Sequence, residues 1–320
     1  MRHRLSLLGV LLAGASSLWA CGDDTTSSGG GGSGGGQEGG AGGGEGGSPP
    51  GQTVKILNWN LHNFFDTTED TTNTEDDSIS QAEYSEKLGA IVDILAELDP
   101  DVMVFQEVEN EAILVDIEEG LGQSYPGKFI LQGNDPRGVD IAAMSRIQFD
   151  DVVSHLSETF TVEGGTDEFA WTRDLVEYHF TAGNQPVVLL GVHYKAKGPP
   201  DNPEKRLAEA QRTRAIADAL VEQDSTRGIL VLGDFNDLPG SPPLLAVIGS
   251  DPAYVSIADE IPSTDRWTFN FEGSLELIDH QIANPVMAGL LVTGSATIRH
   301  GADVDLASDH APLMATYLVE

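Results

Sequence analysis

The chain carries a single cysteine, Cys21, in 320 residues, so no internal disulfide staples it and any core must come from packing alone. It is also poor in bases, with 17 Lys and Arg against 51 Asp and Glu and a formal net charge of −34. Such a surface repels polyanions at long range and argues against tight, nonspecific binding of duplex DNA. It leaves open phosphate-ester chemistry at a site where a bound metal supplies the positive charge. The N-terminal apolar run, Leu5 to Leu12, is too short to span a bilayer. There is no glycine loop of the phosphate-cradling type, no nucleophile elbow around a serine or cysteine, and no zinc-type histidine spacing. Internal repeats are absent as well.

What is present falls into three parts. Residues 1–20 read as a secretory signal, with Arg2 and Arg4 ahead of the apolar run and small residues after it. The run ends in Leu18-Trp19-Ala20-Cys21, which resembles a bacterial lipoprotein signal and makes Cys21 the expected lipidation site. The alternative is an ordinary signal peptide and a secreted protein. Residues 21–52 form the second part. From Gly29 to Gly51, 15 of 23 residues are glycine, too little apolar surface to offset chain entropy, so a tether is expected. The third part, residues 53–320, is long enough for one large domain. It is expected to be an exported monomer that meets a membrane only through the lipid.

Within that domain, Thr53 to Asn60 alternates polar and apolar residues and predicts a first strand. The segment from Asp66 to Asp77 holds six acids and no base and reads as a solvated loop rather than a calcium loop. Ser80-Gln81-Ala82-Glu83 is a capping box, followed at helical spacing by Tyr84, Leu88, Ile91, Leu95 and Leu98. Further strands are predicted at 102–105, 128–131, 139–144, 177–180, 187–193, 229–234, 277–283 and 312–319, with a helix over 204–222.

Apolar segments repeatedly end in, or contain, a polar group: Asn60, Glu107, His193, Asp234 with Asn236, and Asp279, with Asp309 and His310 before the last strand. In a strand, residues two apart share a face, so Asp234 and Asn236 are expected to point together and Phe235 into the core. Taken singly, each is as well read as a turn or a satisfied core residue. Together they form a set rich in hard oxygen donors, suited to Mg²⁺, Mn²⁺ or Ca²⁺ and to hydrolysis by an activated water.

Trp59-Asn60, Gln106-Glu107, His193, Gly233-Asp234-Phe235-Asn236, Asp279 and Ser308-Asp309-His310 resemble, in order and spread, the motif series of the endonuclease/exonuclease/phosphatase superfamily, the deoxyribonuclease I-like metal-dependent phosphoesterases. The resemblance implies an α+β fold, a four-layer sandwich of two packed, mainly antiparallel β-sheets flanked by helices. It implies metal binding by Glu107 with Asn60 and Asp309, Mg²⁺ being the first expectation. It gives His310, oriented by Asp279, the role of base or phosphate donor, Asp234 and Asn236 the water and phosphate, and His193 a second donor. Whether Asp234 or the Asp279–His310 pair is the base stays open. Two positions depart from relatives. His62 stands where one branch has a second acid, and His280 follows Asp279 where inositol-polyphosphate 5-phosphatases have Cys-Asp-Arg.

For the substrate, Lys195, Lys197, Lys205, Arg206, Arg212 and Arg214 cluster after His193. They read either as a phosphate-steering patch or as a solvated helix face. Lys195 and Lys197 lie in a segment similar to one in secreted bacterial nucleases, as does Arg137, which reads equally as a phosphate contact or a salt bridge. The expectation is a nuclease acting on nucleic-acid phosphodiesters. The alternatives are a phosphomonoesterase or sphingomyelinase-type enzyme, and a catalytically silent surface-binding domain. No exposed aromatic hairpin is evident in the sequence.

Overall fold

The computed structural model describes residues 51–69 and 78–319. The signal at 1–20, Cys21, the tether up to residue 50 and residues 70–77 of the acidic segment lie outside the described residues. The first strand starts at Gln52.

Two six-stranded sheets organise the domain. The first has the order Thr297–Ile298, Leu313–Val319, Gln52–Phe64, Val102–Val108, Asp140–Ser145, Gly127–Ile130. The second runs Val255–Ser256, Asp279–Ala283, Gly228–Asp234, Gln185–His193, Leu175–Ala182, Asp151–Ser154. Each sheet is antiparallel apart from one parallel pair, Gln52–Phe64 with Val102–Val108 and Gln185–His193 with Gly228–Asp234. A parallel pair needs a crossover, and here each crossover is a long helix, Gln81–Leu98 in one case and Pro203–Gln223 in the other.

The alternation of strand side chains builds the layers. Val54 and Ile56 face the second sheet and meet Leu230 and Leu232 in one apolar layer. Leu57 and Trp59 point the other way, onto Ile91, Leu95 and Ile113 of the helices Gln81–Leu98 and Glu111–Leu121. Ile229 and Val231 likewise pack against Ala217 and Leu220 of the helix Pro203–Gln223 and Leu244 of the helix Pro242–Ile248. The result is helix, sheet, sheet, helix. The capping box at Ser80 and Glu83 is formed, and Asp99 closes that helix in a left-handed conformation.

Several elements have no counterpart in the sequence reading. The helix Glu111–Leu121 is short, and the hairpin Phe269–Phe271 with Ser274–Glu276 has three-residue strands with no buried stripe to announce them.

Candidate active site

Three strands of the second sheet deliver three polar side chains in register. Asp234 pairs across the parallel ladder with His193 and across the antiparallel ladder with Asp279. Gly233 makes this possible. Its φ is +136°, and a Cβ there would sit 2.0 Å from the Val192 carbonyl oxygen. Only glycine fits.

From the first sheet come Asn60 and Glu107. Their strands pair Asn60 with Gln106, and the register then shifts on both sides of Val102–Val108. His62, Asn63 and Glu107 all have positive φ, at 47°, 51° and 61°. These bulges re-aim the chain ends. The backbone N–H of Asn63 donates to Glu107 Oε2 at 2.8 Å, and that of His62 donates to Asn60 Oδ1 at 2.9 Å. Lys87, from the helix Gln81–Leu98, anchors the bulge by donating to the His62 carbonyl at 2.7 Å.

Asn60, Glu107, His193 and Asp234 line one cavity of ≈ 670 Å³ together with Arg137, Lys195, Asn236, Asp309 and His310. Asn60 Nδ2 donates to Asp234 Oδ2 at 3.1 Å, and the Asn236 N–H donates to Asp234 Oδ1 at 2.7 Å. Asn236 is in the left-handed region, φ 50°, so it reaches the cavity through a tight Asp-anchored turn and not by strand alternation. Phe235 is fully buried, edge-on to Tyr194 and His280, as expected. His193 Nε2 lies 3.4 Å from Asp234 Oδ2. His310 Nδ1 is 2.7 Å from Asp279 Oδ2, with Asp279 itself behind the cavity wall.

The electrostatics separate the roles. Burial disfavours charge on His310, but Asp279, Asp234 and Asp309 outweigh it and raise its pKa to about 10. His193 is pushed down, first by burial and then by Arg173 and Arg137, so it is neutral near pH 7. Asp234 is raised by burial and by the Asp279 charge. Burial also acts to raise Glu107, yet Arg137 and Arg173 win and hold it below the usual carboxylate range.

Two arrangements present themselves for a metal. Asp234, Asp279 and His310 lie with ligand atoms within 4.8 Å of one another. There the His310 Nδ1 is already engaged by Asp279 at 2.7 Å, and Asp279 lies behind the cavity wall rather than on it. Glu107 is an ionised carboxylate facing the cavity, with Asn60 and the half-exposed Asp309 on the same wall. That all-oxygen donor set fits a hard divalent ion.

The proposed substrate contacts fare unevenly. Arg137 lines the cavity but is bound to Glu107 at 3.1 Å and Asp135 at 2.8 Å, which favours the salt-bridge reading. Lys195 lines the cavity and donates to the Ala196 carbonyl. Lys197 pairs with Asp237 at 3.2 Å and borders a smaller adjoining cavity. The continuous basic patch does not form. Arg206 is buried against Asp201 and Asp237, Arg212 pairs with Glu158, and Arg214 binds Asp218 and three backbone carbonyls.

Residues outside the sequence reading complete the site. Asp135 is buried and clamps both Arg137 and Arg173, and Arg173 also donates to the Tyr194 carbonyl. Thr268 Oγ1 accepts from the Ile278 and Asp279 N–H groups, fixing the Asp279 strand entry. Arg173 was findable as a rare base in an acidic domain. Thr268 carries no sequence signal, because its partners are distant backbone.

A family model described as Endonuclease/Exonuclease/phosphatase family matches residues 55–297. No curated protein sequence matches significantly. Among solved structures, an endonuclease/exonuclease/phosphatase from Bacteroides vulgatus is 16% identical, with a TM-score of 0.59 over 84% of this chain and 100% of that one. The human nocturnin catalytic domain with bound sulfate is 14% identical, TM-score 0.60, over 83% and 94%. TDP2 of D. rerio, in complex with a single-strand DNA product, is 15% identical, TM-score 0.54, over 83% and 98%. The matched segment stops before Asp309 and His310, which the fold brings back to the same cavity as Glu107 and Asp234. The two-sheet sandwich, the matched segment and the structural likeness agree: the chain belongs to the endonuclease/exonuclease/phosphatase family.

Proposed function

We propose that the domain is a metal-dependent phosphodiesterase whose substrate is nucleic acid. The observation that carries this is the convergence on one cavity of Asp234, held by Asn60 and the Asn236 N–H, and of His310, backed by Asp279, with Glu107 and His193 lining the same space. Asp234 accepts a proton from the attacking water, its two oxygens oriented by Asn60 and the Asn236 N–H. The water oxygen bonds to phosphorus, the opposite P–O bond breaks, and the electron pair leaves on that oxygen. His310, already an imidazolium, donates from Nε2 to the phosphate as charge accumulates, and Asp279 fixes the ring through Nδ1. Neutral His193 is the second donor, and Asn236 helps hold the phosphate. Glu107, Asn60 and Asp309 would hold the divalent ion, Mg²⁺ foremost, which supplies positive charge to the phosphate oxygens. Lys195 borders the same space and steers the anion. The DNA product bound by TDP2 supports a nucleic-acid substrate by analogy of fold.

Export and membrane anchoring through Cys21 belong to the same proposal, supported by the sequence of residues 1–21. The purified protein is assayed on single- and double-stranded DNA, RNA, bis-p-nitrophenyl phosphate and sphingomyelin, with Mg²⁺, Mn²⁺, Ca²⁺ or EDTA. Expected are nucleic-acid cleavage abolished by EDTA and restored by Mg²⁺, and losses of about 10²–10⁴ in kcat for Asp234→Ala and for His310→Ala. Cleavage that survives EDTA, or full activity in both variants, defeats the mechanism.

A further inference from the structure

Beside the catalytic cavity lies a second, smaller one of ≈ 280 Å³, bordered by Lys197, Gly198, Asn236, Phe269, Phe271 and Ile278. It is continuous with the first, since Gly198, Asn236, Phe269 and Ile278 line both. One wall is the hairpin Phe269–Phe271 with Ser274–Glu276. Phe269 packs on the His310 ring, centroids 4.9 Å apart, and its backbone bridges to His310. Phe271 continues the row, 6.3 Å from Phe269 and nearly parallel to it at 24°. Phe271 is 56% exposed, unusual for a phenylalanine on a short ordered strand.

We propose that Phe271 and Phe269 form a stacking shelf for the nucleobase next to the scissile phosphate. This deepens the nuclease reading and rests on it. The shelf begins on the imidazole that donates to the phosphate and runs outward, so a base one nucleotide from that phosphate lies over the aromatic faces. Lys197 borders the cavity with its side chain 42% exposed and its ammonium 3.2 Å from Asp237 Oδ1. Glu276 lines the same cavity and offsets the lysine, so the grip offered here is on a flat ring through its faces and not on a phosphate. Stacking also tolerates any base, so the shelf gives grip with little sequence preference.

A lipid surface fits less well. The other exposed apolar residue of the hairpin, Leu275, pairs with Asn270, whereas Phe271 pairs with Ser274 and Phe269 with Glu276. Cross-strand partners share a face, so Leu275 and Phe271 point to opposite sides. The hairpin presents one narrow aromatic row toward the cavity and no broad apolar face for insertion.

The test uses the purified protein and its Phe271→Ala and Phe271→Trp variants. Oligonucleotide cleavage is compared with cleavage of the same strand carrying an abasic tetrahydrofuran residue on either side of the cut. Phe271→Ala is expected to lower kcat/KM on the intact strand about 5- to 100-fold, to leave one abasic substrate unaffected, and to be rescued by Trp. Equal losses on intact and both abasic strands, or no loss on any, overturn the shelf.

A turnover-free measurement separates this from the nuclease reading. Adenosine monophosphate should bind more tightly than ribose 5-phosphate by calorimetry, with the difference lost in Phe271→Ala. If that holds while no nucleic acid is cleaved, the shelf stands and the nuclease reading falls. If the two ligands bind equally, the shelf falls whatever is cleaved. Sedimentation with sphingomyelin vesicles that depends on Phe271 overturns it in favour of a lipid surface.

Discussion

At the scale of single residues, strain and buried charge concentrate around the cavity. Glu107, Asn236, His62 and Asn63 all adopt left-handed backbone conformations, which cost free energy and persist only where neighbours hold them. The holding contacts are the short bonds from Asn63 to Glu107 and from Asn236 to Asp234. A second buried charge sits just outside. Asp140 is 7% exposed, accepts from the Gly133 N–H at 2.6 Å, and so ties the base of the 133–140 loop that carries Asp135 and Arg137. Burial, helped by Asp135 and Asp174, raises its pKa to about 7. A carboxyl raised on folding binds its proton more tightly in the native state. Its ionisation penalty is therefore absent below the unfolded pKa, grows as pH rises, and is complete above about pH 7. Asp140→Asn, which keeps the acceptor, should raise stability at pH 8 by roughly 2–4 kcal/mol and change little at pH 4. Urea titrations at the two pH values check this, and an equal effect at both would refute the assignment.

At the scale of elements, the site is a product of strand register. His193, Asp234 and Asp279 are neighbours because three strands pair at those positions. Gly233 sets the approach of the two parallel strands just before the acid. Gly233→Ala would force a Cβ against the Val192 carbonyl in a backbone conformation alanine resists. The expected cost is about 3–5 kcal/mol, read as a sharp fall in Tm and soluble yield, whereas Gly240→Ala, with open space around its Cβ site, should lose far less. Comparable melting of the two variants would remove the special role of Gly233. Both glycines have positive φ, +136° at Gly233 and +81° at Gly240, so strain acts at both positions and the backbone clash at Gly233 alone.

At the scale of the whole molecule, the charge of −34 stands against the anionic substrate proposed above. Basic nucleases lose affinity steeply with salt because binding releases counterions. Here most bases are already paired with acids, Arg206, Arg212 and Arg214 among them, and few cations meet the cavity. Added salt screens the long-range repulsion and displaces little else. At fixed Mg²⁺, kcat/KM on oligonucleotides should stay flat or rise between about 20 and 150 mM NaCl. A steep fall would mean that a basic surface does bind the strand.

Much of this was legible in residue order, for stated reasons. Alternation in Thr53 to Asn60 and the periodicity from Tyr84 to Leu98 are local consequences of burying one face, so those elements were readable without a fold. Glu107, Asp234 and His310 were readable because their flanking motifs are short and contiguous. The short hairpin around Phe271 was not, since three-residue strands carry no period. Nor was the fate of the bases after His193. Charge in a sequence says nothing about which acid lies opposite, and Arg206 meets Asp237 only across 31 positions. The sequence by itself determined the long strands, the family's motif order and the acidic charge, because each depends on near neighbours or on sums. Only the tertiary structure decided the bulges that turn Glu107 inward, the clamp of Asp135 on Arg137 and Arg173, and the aromatic row against His310. Those depend on pairing between distant segments, which no local pattern encodes.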